Sequence, residues 1–159
     1  MNMVSWSRIW TAATGRRPVA GRTASWWLPA DDFGSVRSAR RLTRDKLADW
    51  GFKAQTEVAE LLVSELVTNA LEHAYGQVRL SLFAEDGLLR CEVEDENPEL
   101  PHMRTAGPAA ESGRGLFLVD ALSCCWGGVR TPRGKAIWFE LPTFTHAEAC
   151  PLDALAFAA

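Results

Sequence analysis

The sequence predicts an α/β chain of the two-layer α+β sandwich type, in which a mixed, mostly antiparallel sheet packs on helices that cover one face. Two long segments, 33–50 and 54–75, place apolar residues at helical spacing. After residue 76 the period changes to two, and polar residues alternate with apolar ones along 78–82 and 89–93. Strands with one apolar face need a second layer to cover it, and the helices supply that layer.

The first strand and the first helix are bounded by residues that stop or cap such elements. A short strand over 24–29 is predicted to end at its proline. The helix over 33–50 has oxygen-bearing residues at its start and Gly51 at a suitable C′ position. The N-cap candidates are Asp31, Asp32 and Ser35.

The second helix and the hairpin that follows it have equally clear limits. The helix over 54–75 is predicted to end at Gly76. A turn at 85–87 then joins the two alternating strands, which together form a hairpin with one buried face. The apolar stripe of the helix consists of Val58, Leu61, Leu62, Leu66, Ala70 and Leu71.

The second half of the chain begins with a segment that has little periodicity. Residues 96–113 contain three prolines, which predicts a long loop of the kind that forms lids or binding loops. A short apolar helix is predicted over 114–123. Two further strands, 126–129 and 135–141, are joined by a turn at 131–134.

Length and composition indicate one globular domain. The chain has 159 residues, 47% hydrophobic and 23% charged, which excludes collagen-like, coiled-coil and wholly disordered chains. No apolar run reaches the roughly 18–20 residues that a membrane helix needs. The four cysteines form no C-x-x-C pair, and the start of the chain lacks a secretory signal. We therefore expect a reduced, cytoplasmic protein without membrane attachment.

Charge is unevenly distributed along the chain. Residues 1–22 carry four arginines and no acid, whereas the net charge of the whole chain is −3. The remainder is therefore acidic, which argues against direct nucleic-acid binding. We predict a flexible basic extension over 1–22, a domain over 23–143 and an Ala-rich tail over 144–159.

Three polar features fall where core residues are expected. Glu65, Asn69 and His73 are spaced four apart and share one helix face, a donor set that suits a hydrated divalent cation or, equally, a helix–solvent boundary. Asp95 continues the inward face of its strand and needs a donor there, which a base amine or a turn could supply. The glycines of 113–115 precede a helix start, where phosphate is favoured but a flexible loop is also common.

The order of these features resembles the ATP-binding domain of the GHKL superfamily. The segment ELVTNALEHAYG over 65–76 is similar to the N-box of anti-sigma-factor serine/threonine kinases. The segment GRGLFLVDALS over 113–123, followed by WGG and GKAIWFELP, resembles small single-domain actinobacterial members of that family. The resemblance covers about 24–142 and implies a Bergerat ATP-binding fold.

The resemblance also implies roles for individual residues. Glu65 would be the general base or water-orienting acid, and Asn69 would coordinate Mg²⁺ between the phosphates of ATP. Asp95 would accept the adenine amino group and select ATP over GTP. The other residues implied in nucleotide binding are His73 near the phosphates, Asn97 beside Asp95, Gly113, Arg114 and Gly115 around the triphosphate, and Leu116 beside the nucleotide.

Two positions depart from the family pattern. The adenine loop usually reads D-x-G-x-G, whereas residues 95–99 read DENPE. The last strand often carries Gly-Thr, whose hydroxyl supports the aspartate, whereas this chain has Gly134-Lys135-Ala136. Neither change removes the metal ligand or the catalytic acid that the resemblance implies.

The function expected from the resemblance is a serine/threonine protein kinase that phosphorylates an anti-anti-sigma (antagonist) protein and so regulates a sigma factor. The arginine-rich first helix could dock an acidic partner or be a solvated outer face. The resemblance also implies a homodimer that forms through the region of the first strand and helix. The alternatives are a nucleotide-binding regulatory module without kinase activity and a scaffold that binds no nucleotide.

Overall fold

The computed structural model describes residues 21–73, 76–100 and 114–143. The predicted basic extension lies outside these ranges, except for the residues at 21–22. The tail over 144–159 and most of the predicted loop over 96–113 also lie outside them.

Three helices and five strands form the described part of the chain. The helices and the turn between the first two are α1 (Gly34–Trp50), a short 3₁₀ turn (Lys53–Gln55), α2 (Thr56–His73) and α3 (Arg114–Leu122). The strands are β1 (Arg22–Pro29), β2 (Gln77–Glu85), β3 (Leu88–Asp95), β4 (Cys125–Arg130) and β5 (Lys135–Pro142). Each predicted element is present, within a few residues of its predicted limits.

The strands form one open sheet in the order β1-β2-β3-β5-β4. All four pairings between these strands are antiparallel, so the parallel component of the predicted mixed sheet does not occur among the described strands. The two-layer α+β architecture is confirmed. In the central pairings Leu80 lies opposite Val93, and Cys91 lies opposite Phe139.

Helix α1 ends at the predicted glycine, but its N-cap is Phe33, which makes no side-chain cap hydrogen bond, and not one of the predicted N-cap residues. The Asp32 carboxylate accepts the Gly34 N–H at 2.7 Å, although Phe33 is the residue that directly precedes the helix. Ser35, another N-cap candidate, lies in the first turn and donates its hydroxyl to the Pro29 carbonyl. Gly51 ends the helix at a φ of 83°, a left-handed conformation that glycine adopts without steric cost.

The β2–β3 hairpin closes on a two-residue turn. Asp86 and Gly87 both have positive φ, at 49° and 80°. Positive φ at both central residues is the type I′ geometry, whose twist matches that of paired strands. This turn sets the register in which the inner faces of β2 and β3 align.

The core lies between the inner face of the sheet and the helices. Phe139, Leu80 and Leu82 on the sheet are fully buried, as are Leu62 and Val63 on α2. Burial of such side chains contributes roughly 1.5–3 kcal/mol each. The packing holds α2 across β2 and β3, and it thereby positions the polar stripe of that helix.

Candidate functional site

Helix α2 carries the predicted polar stripe at the edge of the core. Glu65 and Asn69 are half-buried, while Leu62 and Leu66 beside them are buried. His73 is the last residue of the helix, and about half of its side chain is exposed. The stripe therefore runs from half-buried positions at Glu65 and Asn69 to an exposed position at His73.

The start of α3 lies directly against Glu65. A Cβ atom built on Gly115 would stand only 2.9 Å from Glu65 Oε2, so the absence of a side chain at Gly115 makes room for the carboxylate. These two residues are 50 positions apart in the sequence. The structure thus brings together two of the features that the resemblance assigns to one site.

The first turn of α3 gives this place its electrostatic character. The N–H groups at the start of a helix have no acceptor within the helix, and the helix dipole adds partial positive charge there. Leu116 is half-buried and packs against the core. Gly113 and the side chain of Arg114 lie outside the described part of the chain, so their implied roles stay predictions.

Asp95 lies at the other end of the site, where β3 ends on the inner face of the sheet. Its side chain is 2% exposed, and its Oδ1 accepts a hydrogen bond from Lys135 Nζ at 3.0 Å. Lys135 is the first residue of β5 and is paired with Asp95 in the strand register. The carboxylate that was expected to meet a base amine therefore already has a cationic partner.

Asn97 connects the end of β3 to the end of α2. Its N–H donates to Asp95 Oδ1 at 2.9 Å, and its side-chain amide donates to the His73 carbonyl at 2.8 Å. Its side-chain oxygen accepts the Glu99 N–H at 3.0 Å. Asn97 therefore links the end of β3 to the end of α2 through hydrogen bonds within the protein.

The residues at the Glu65 end fit a metal ion that is shared with a nucleotide. Within 21–73, 76–100 and 114–143, no three His, Cys, Asp or Glu side chains cluster as a metal site. Mg²⁺ usually keeps several waters and takes phosphate oxygens, so it needs few protein ligands. Asn69 would hold such an ion, which would neutralise phosphate charge beside the Gly115 helix start, and Glu65 lies one helical turn away.

Lys135 is the site residue that the sequence analysis did not assign. The signal for it was present, because Lys135 continues the alternation of Ile137, Phe139 and Leu141 on the inner face of β5. A lysine at an inward strand position needs an anionic partner. Asp95 is the inward residue at the matching end of β3.

The antiparallel sheet with helices on one face forms a two-layer α+β architecture. The family model of the histidine kinase-like ATPase domain matches residues 28–140, and the chain belongs to this family. No helix among the described residues is long and apolar enough to cross a membrane.

The chain is also similar to solved structures. The chain is similar to the histidine kinase domain from Erythrobacter litoralis EL346 blue-light activated histidine kinase, with 28% identity and a TM-score of 0.44. The similarity covers 56% of this chain and 45% of that chain, so it spans less than half of the kinase structure. No curated protein matches the sequence.

Proposed function

We propose that this protein is an ATP-dependent serine/threonine protein kinase that phosphorylates an anti-anti-sigma protein and thereby regulates a sigma factor. The observation that carries the proposal is the contact between the Glu65 carboxylate and Gly115. It joins a carboxylate suited to proton transfer to a helix start suited to phosphate. Membership of the histidine kinase-like ATPase family supports ATP as the nucleotide.

The chemistry follows from the residues at this contact. Phosphoryl transfer depends on positioning and charge neutralisation more than on covalent chemistry by the protein. Glu65 is half-buried and lies against the helix start at Gly115, which would hold the phosphates. There it would accept the proton of an incoming serine hydroxyl. Asn69 lies one helical turn further on and supplies a neutral oxygen for Mg²⁺.

An exposed basic stripe on α1 supports docking of an acidic partner. We define this stripe as Arg37, Arg40 and Arg41, which are exposed and make no ion pair among the described contacts. Arg44 differs, because it is paired with Glu60 at 2.5 Å. Unpaired surface charge of one sign steers and orients a partner of opposite charge. Phosphorylation adds about 1.5–2 negative charges to the partner and so changes its binding.

The first experiment measures ATP binding and transfer separately. Calorimetric titration with ATP, with and without Mg²⁺, is expected to show Mg²⁺-dependent binding that Asn69→Ala weakens at least about tenfold. Incubation with γ-labelled ATP and a purified anti-anti-sigma protein is then expected to label a serine. Absence of binding at millimolar ATP would refute the proposed function.

A second candidate is a nucleotide-binding regulatory module without kinase activity. The ion pair between Asp95 and Lys135 favours it. Asp95 is the residue expected to bind adenine, and its partner Lys135 lies in the segment that departs from the family pattern. This candidate expects Mg²⁺-dependent ATP binding but no labelled serine. It also expects Glu65→Gln to leave partner binding unchanged.

A further inference from the structure

Two adjacent cysteines, Cys124 and Cys125, lie between the end of α3 and the start of β4. Both are exposed, whereas Cys91 is buried in the core. The strand register places Cys125 opposite Glu140 of β5, and the Cys124 N–H donates to the Glu140 carbonyl at 3.0 Å. Both cysteines are therefore held by the same residue of the neighbouring strand.

The thiols of these two cysteines lie near each other. Side chains alternate between opposite faces within a strand, but β4 begins only at Cys125, so Cys124 is not bound by that alternation. The Cys124 thiol donates to the Glu140 carbonyl at 3.2 Å. Desolvation raises the pKa of the Cys124 thiol, and the adjacent Cys125 thiol and Glu140 carboxylate raise it further. The two sulfur atoms are thus close enough for a single atom to bond both.

The backbone disfavours a disulfide between these two cysteines. Their peptide bond is trans, so their Cα atoms are about 3.8 Å apart, which is less than the roughly 4.4–6.8 Å of ordinary disulfides. A direct S–S bond would therefore require distortion of the backbone. An atom inserted between the two sulfurs lengthens the bridge and relieves that constraint. The pair consequently stays available as a dithiol.

The surroundings of the pair select the kind of ligand that it can hold. Thiolates prefer soft ions, and zinc, one of these, takes four ligands in its structural sites. Among the residues that the structure describes, no third His, Cys, Asp or Glu joins the two cysteines in a metal-binding cluster. The Glu140 carboxylate is instead paired with Arg90 at 3.2 Å. The ligand that fits is one that needs two sulfur atoms and no further side chain, and trivalent arsenic meets this condition.

We propose that Cys124 and Cys125 form a two-thiol binding site for trivalent arsenic compounds that carry two exchangeable hydroxyl groups. Two As–S bonds form and two As–O bonds break, and each thiol proton leaves with a hydroxyl group as water. Arsenic stays trivalent, so the step needs no oxidant or reductant. A metal cation requires thiolates, which the raised pKa of Cys124 disfavours, whereas the arsenic hydroxyl groups take up the thiol protons. This binding is independent of the proposed nucleotide binding.

The experiment treats the reduced full chain with hydrated phenylarsine oxide in a buffer without thiols, and intact mass spectrometry counts the adducts. One phenylarsenic group per chain, with the loss of two hydrogens, is expected. Ethanedithiol is expected to remove this group, whereas the same concentration of mercaptoethanol is not, because a monothiol forms no chelate. Peptide mapping after alkylation is expected to show Cys124 and Cys125 protected together.

Three single variants identify the thiols that take part. Cys124→Ser and Cys125→Ser each leave one thiol of the pair, so the affinity for phenylarsine oxide is expected to fall at least about hundredfold, since the second As–S bond forms within one complex. Cys150 lies outside the described residues, and Cys150→Ser is the matched control, expected to bind as the wild type does. Thermal unfolding checks that each variant is folded.

Each outcome decides for or against the site. Loss of the adduct in Cys124→Ser and in Cys125→Ser, with wild-type binding in Cys150→Ser, would establish it. An adduct that persists in both variants of the pair, or that requires Cys150, would overturn it. Removal by mercaptoethanol as readily as by ethanedithiol would also overturn it. If a variant does not fold, the alkylation pattern of the wild type decides, because protection of one cysteine of the pair together with Cys150 contradicts the inference.

Discussion

Glu65 and Asn69 lie one helical turn apart on α2 and have different proposed chemical roles. Both are half-buried on α2, and the Glu65 carboxylate lies against the start of α3. A carboxylate in such a place orients or accepts a proton, and an amide oxygen binds a cation without adding charge. Substitutions at these two residues are therefore expected to have different effects.

The first prediction separates binding from transfer. Asn69→Ala is expected to lower Mg²⁺-dependent ATP affinity at least about tenfold, because it removes a metal ligand. Glu65→Gln is nearly isosteric and is expected to keep ATP affinity within about threefold while transfer to a serine falls about 10²–10⁴-fold. Calorimetry and a labelled-phosphate assay measure the two effects. Chelation of Mg²⁺ in the wild type is expected to reproduce the Asn69→Ala binding defect.

A matched control for this prediction lies on the same helix. Glu57 is an exposed acid in the first turn of α2. Glu57→Gln makes the same chemical change away from the contact with Gly115 and is expected to leave both assays unchanged. If it impairs transfer as strongly as Glu65→Gln, the assigned role of Glu65 is wrong.

The second prediction concerns the buried thiol of Cys91. Burial raises the pKa of Cys91 well above that of an exposed thiol. In the unfolded chain this thiol ionises near pH 8.5, whereas the folded protein keeps it protonated to a higher pH. Below about pH 8.5 the thiol is protonated in both states, so it has no pH-dependent effect on the free energy of unfolding. Above that pH the thiol contributes a loss of about 1.4 kcal/mol per pH unit. Urea unfolding between pH 7 and 10 measures the slope.

Comparison with Cys91→Ala isolates the contribution of this thiol from other groups that titrate at alkaline pH. The variant is expected to be less stable at pH 7, since it loses a buried side chain, but its stability should fall less steeply with pH. Parallel curves for the two proteins would contradict the prediction. Exposed Cys124 and Cys125 are expected to react with alkylating reagents in the folded protein, whereas Cys91 is not.

At the scale of elements, the contact between α2 and α3 makes the site depend on a glycine. The helix start at Gly115 approaches Glu65 closely because neither a Cβ nor a larger side chain intervenes. The positions of both helices are set by apolar contacts, which include fully buried Val119 on α3 and Leu62 on α2. The core thus brings the carboxylate to the helix start.

The third prediction tests this contact through Gly115→Ala. The added Cβ would lie 2.9 Å from Glu65 Oε2, so the carboxylate must move. A shift of about 1 Å can cost about 10²-fold in rate, whereas alanine favours the helix by up to about 1 kcal/mol relative to glycine. We expect phosphoryl transfer to fall while thermal stability stays equal or rises, as measured by the labelled-phosphate assay and by calorimetric unfolding.

The opposite substitution in the same helix serves as the control. Ala121→Gly lies at an exposed position of α3, away from Glu65. It is expected to reduce stability by about 1 kcal/mol and to leave transfer unchanged. A loss of transfer that followed helix stability in both variants would refute the positional explanation.

At the scale of the whole molecule, the proposed partner surface and the candidate nucleotide site lie on different elements. The chain has a net charge of −3, yet the basic stripe on α1 leaves three exposed arginines without described ion pairs. The candidate nucleotide site, in contrast, is built from α2, α3 and the ends of β3 and β5. Partner binding and nucleotide binding should therefore respond to different substitutions.

The fourth prediction reverses charge on the basic stripe. Arg37→Glu combined with Arg41→Glu is expected to weaken binding of the anti-anti-sigma protein at least about tenfold and to reverse the sign of its salt dependence. ATP affinity should stay within about threefold. Surface plasmon resonance at two ionic strengths measures the partner effect. Asp45→Lys, an exposed change on the same helix that adds positive charge, is expected to strengthen binding or leave it unchanged.

Most of the fold could be predicted because its signals are local. The helical spacing in α2, the alternation in β2 and β3, and the turn glycines lie within windows of a few residues, and the observed elements agree with them. The parallel component of the sheet was wrong because strand direction depends on which strands become neighbours. The sequence order alone does not show that β3 pairs with β5 while β4 takes the edge.

The candidate site could be predicted in part. The E-x-x-x-N spacing places Glu65 and Asn69 on one face by helix geometry alone. The pairing of Lys135 with Asp95 could not be predicted in the same way, because the two residues are 40 positions apart and the pairing depends on strand register. Asn97, predicted as a nucleotide-binding residue next to Asp95, donates its side-chain amide to the end of α2.

The sequence by itself determined which segments become helices and strands and which polar residues share a helix face, because these properties follow from backbone geometry and short-range periodicity. Only the tertiary structure decided that Glu65 meets Gly115 and that Lys135 occupies the carboxylate of Asp95. Those contacts join residues 50 and 40 positions apart. They arise from the packing of α2 on α3 and from the register of β3 with β5, which the core enforces as a whole.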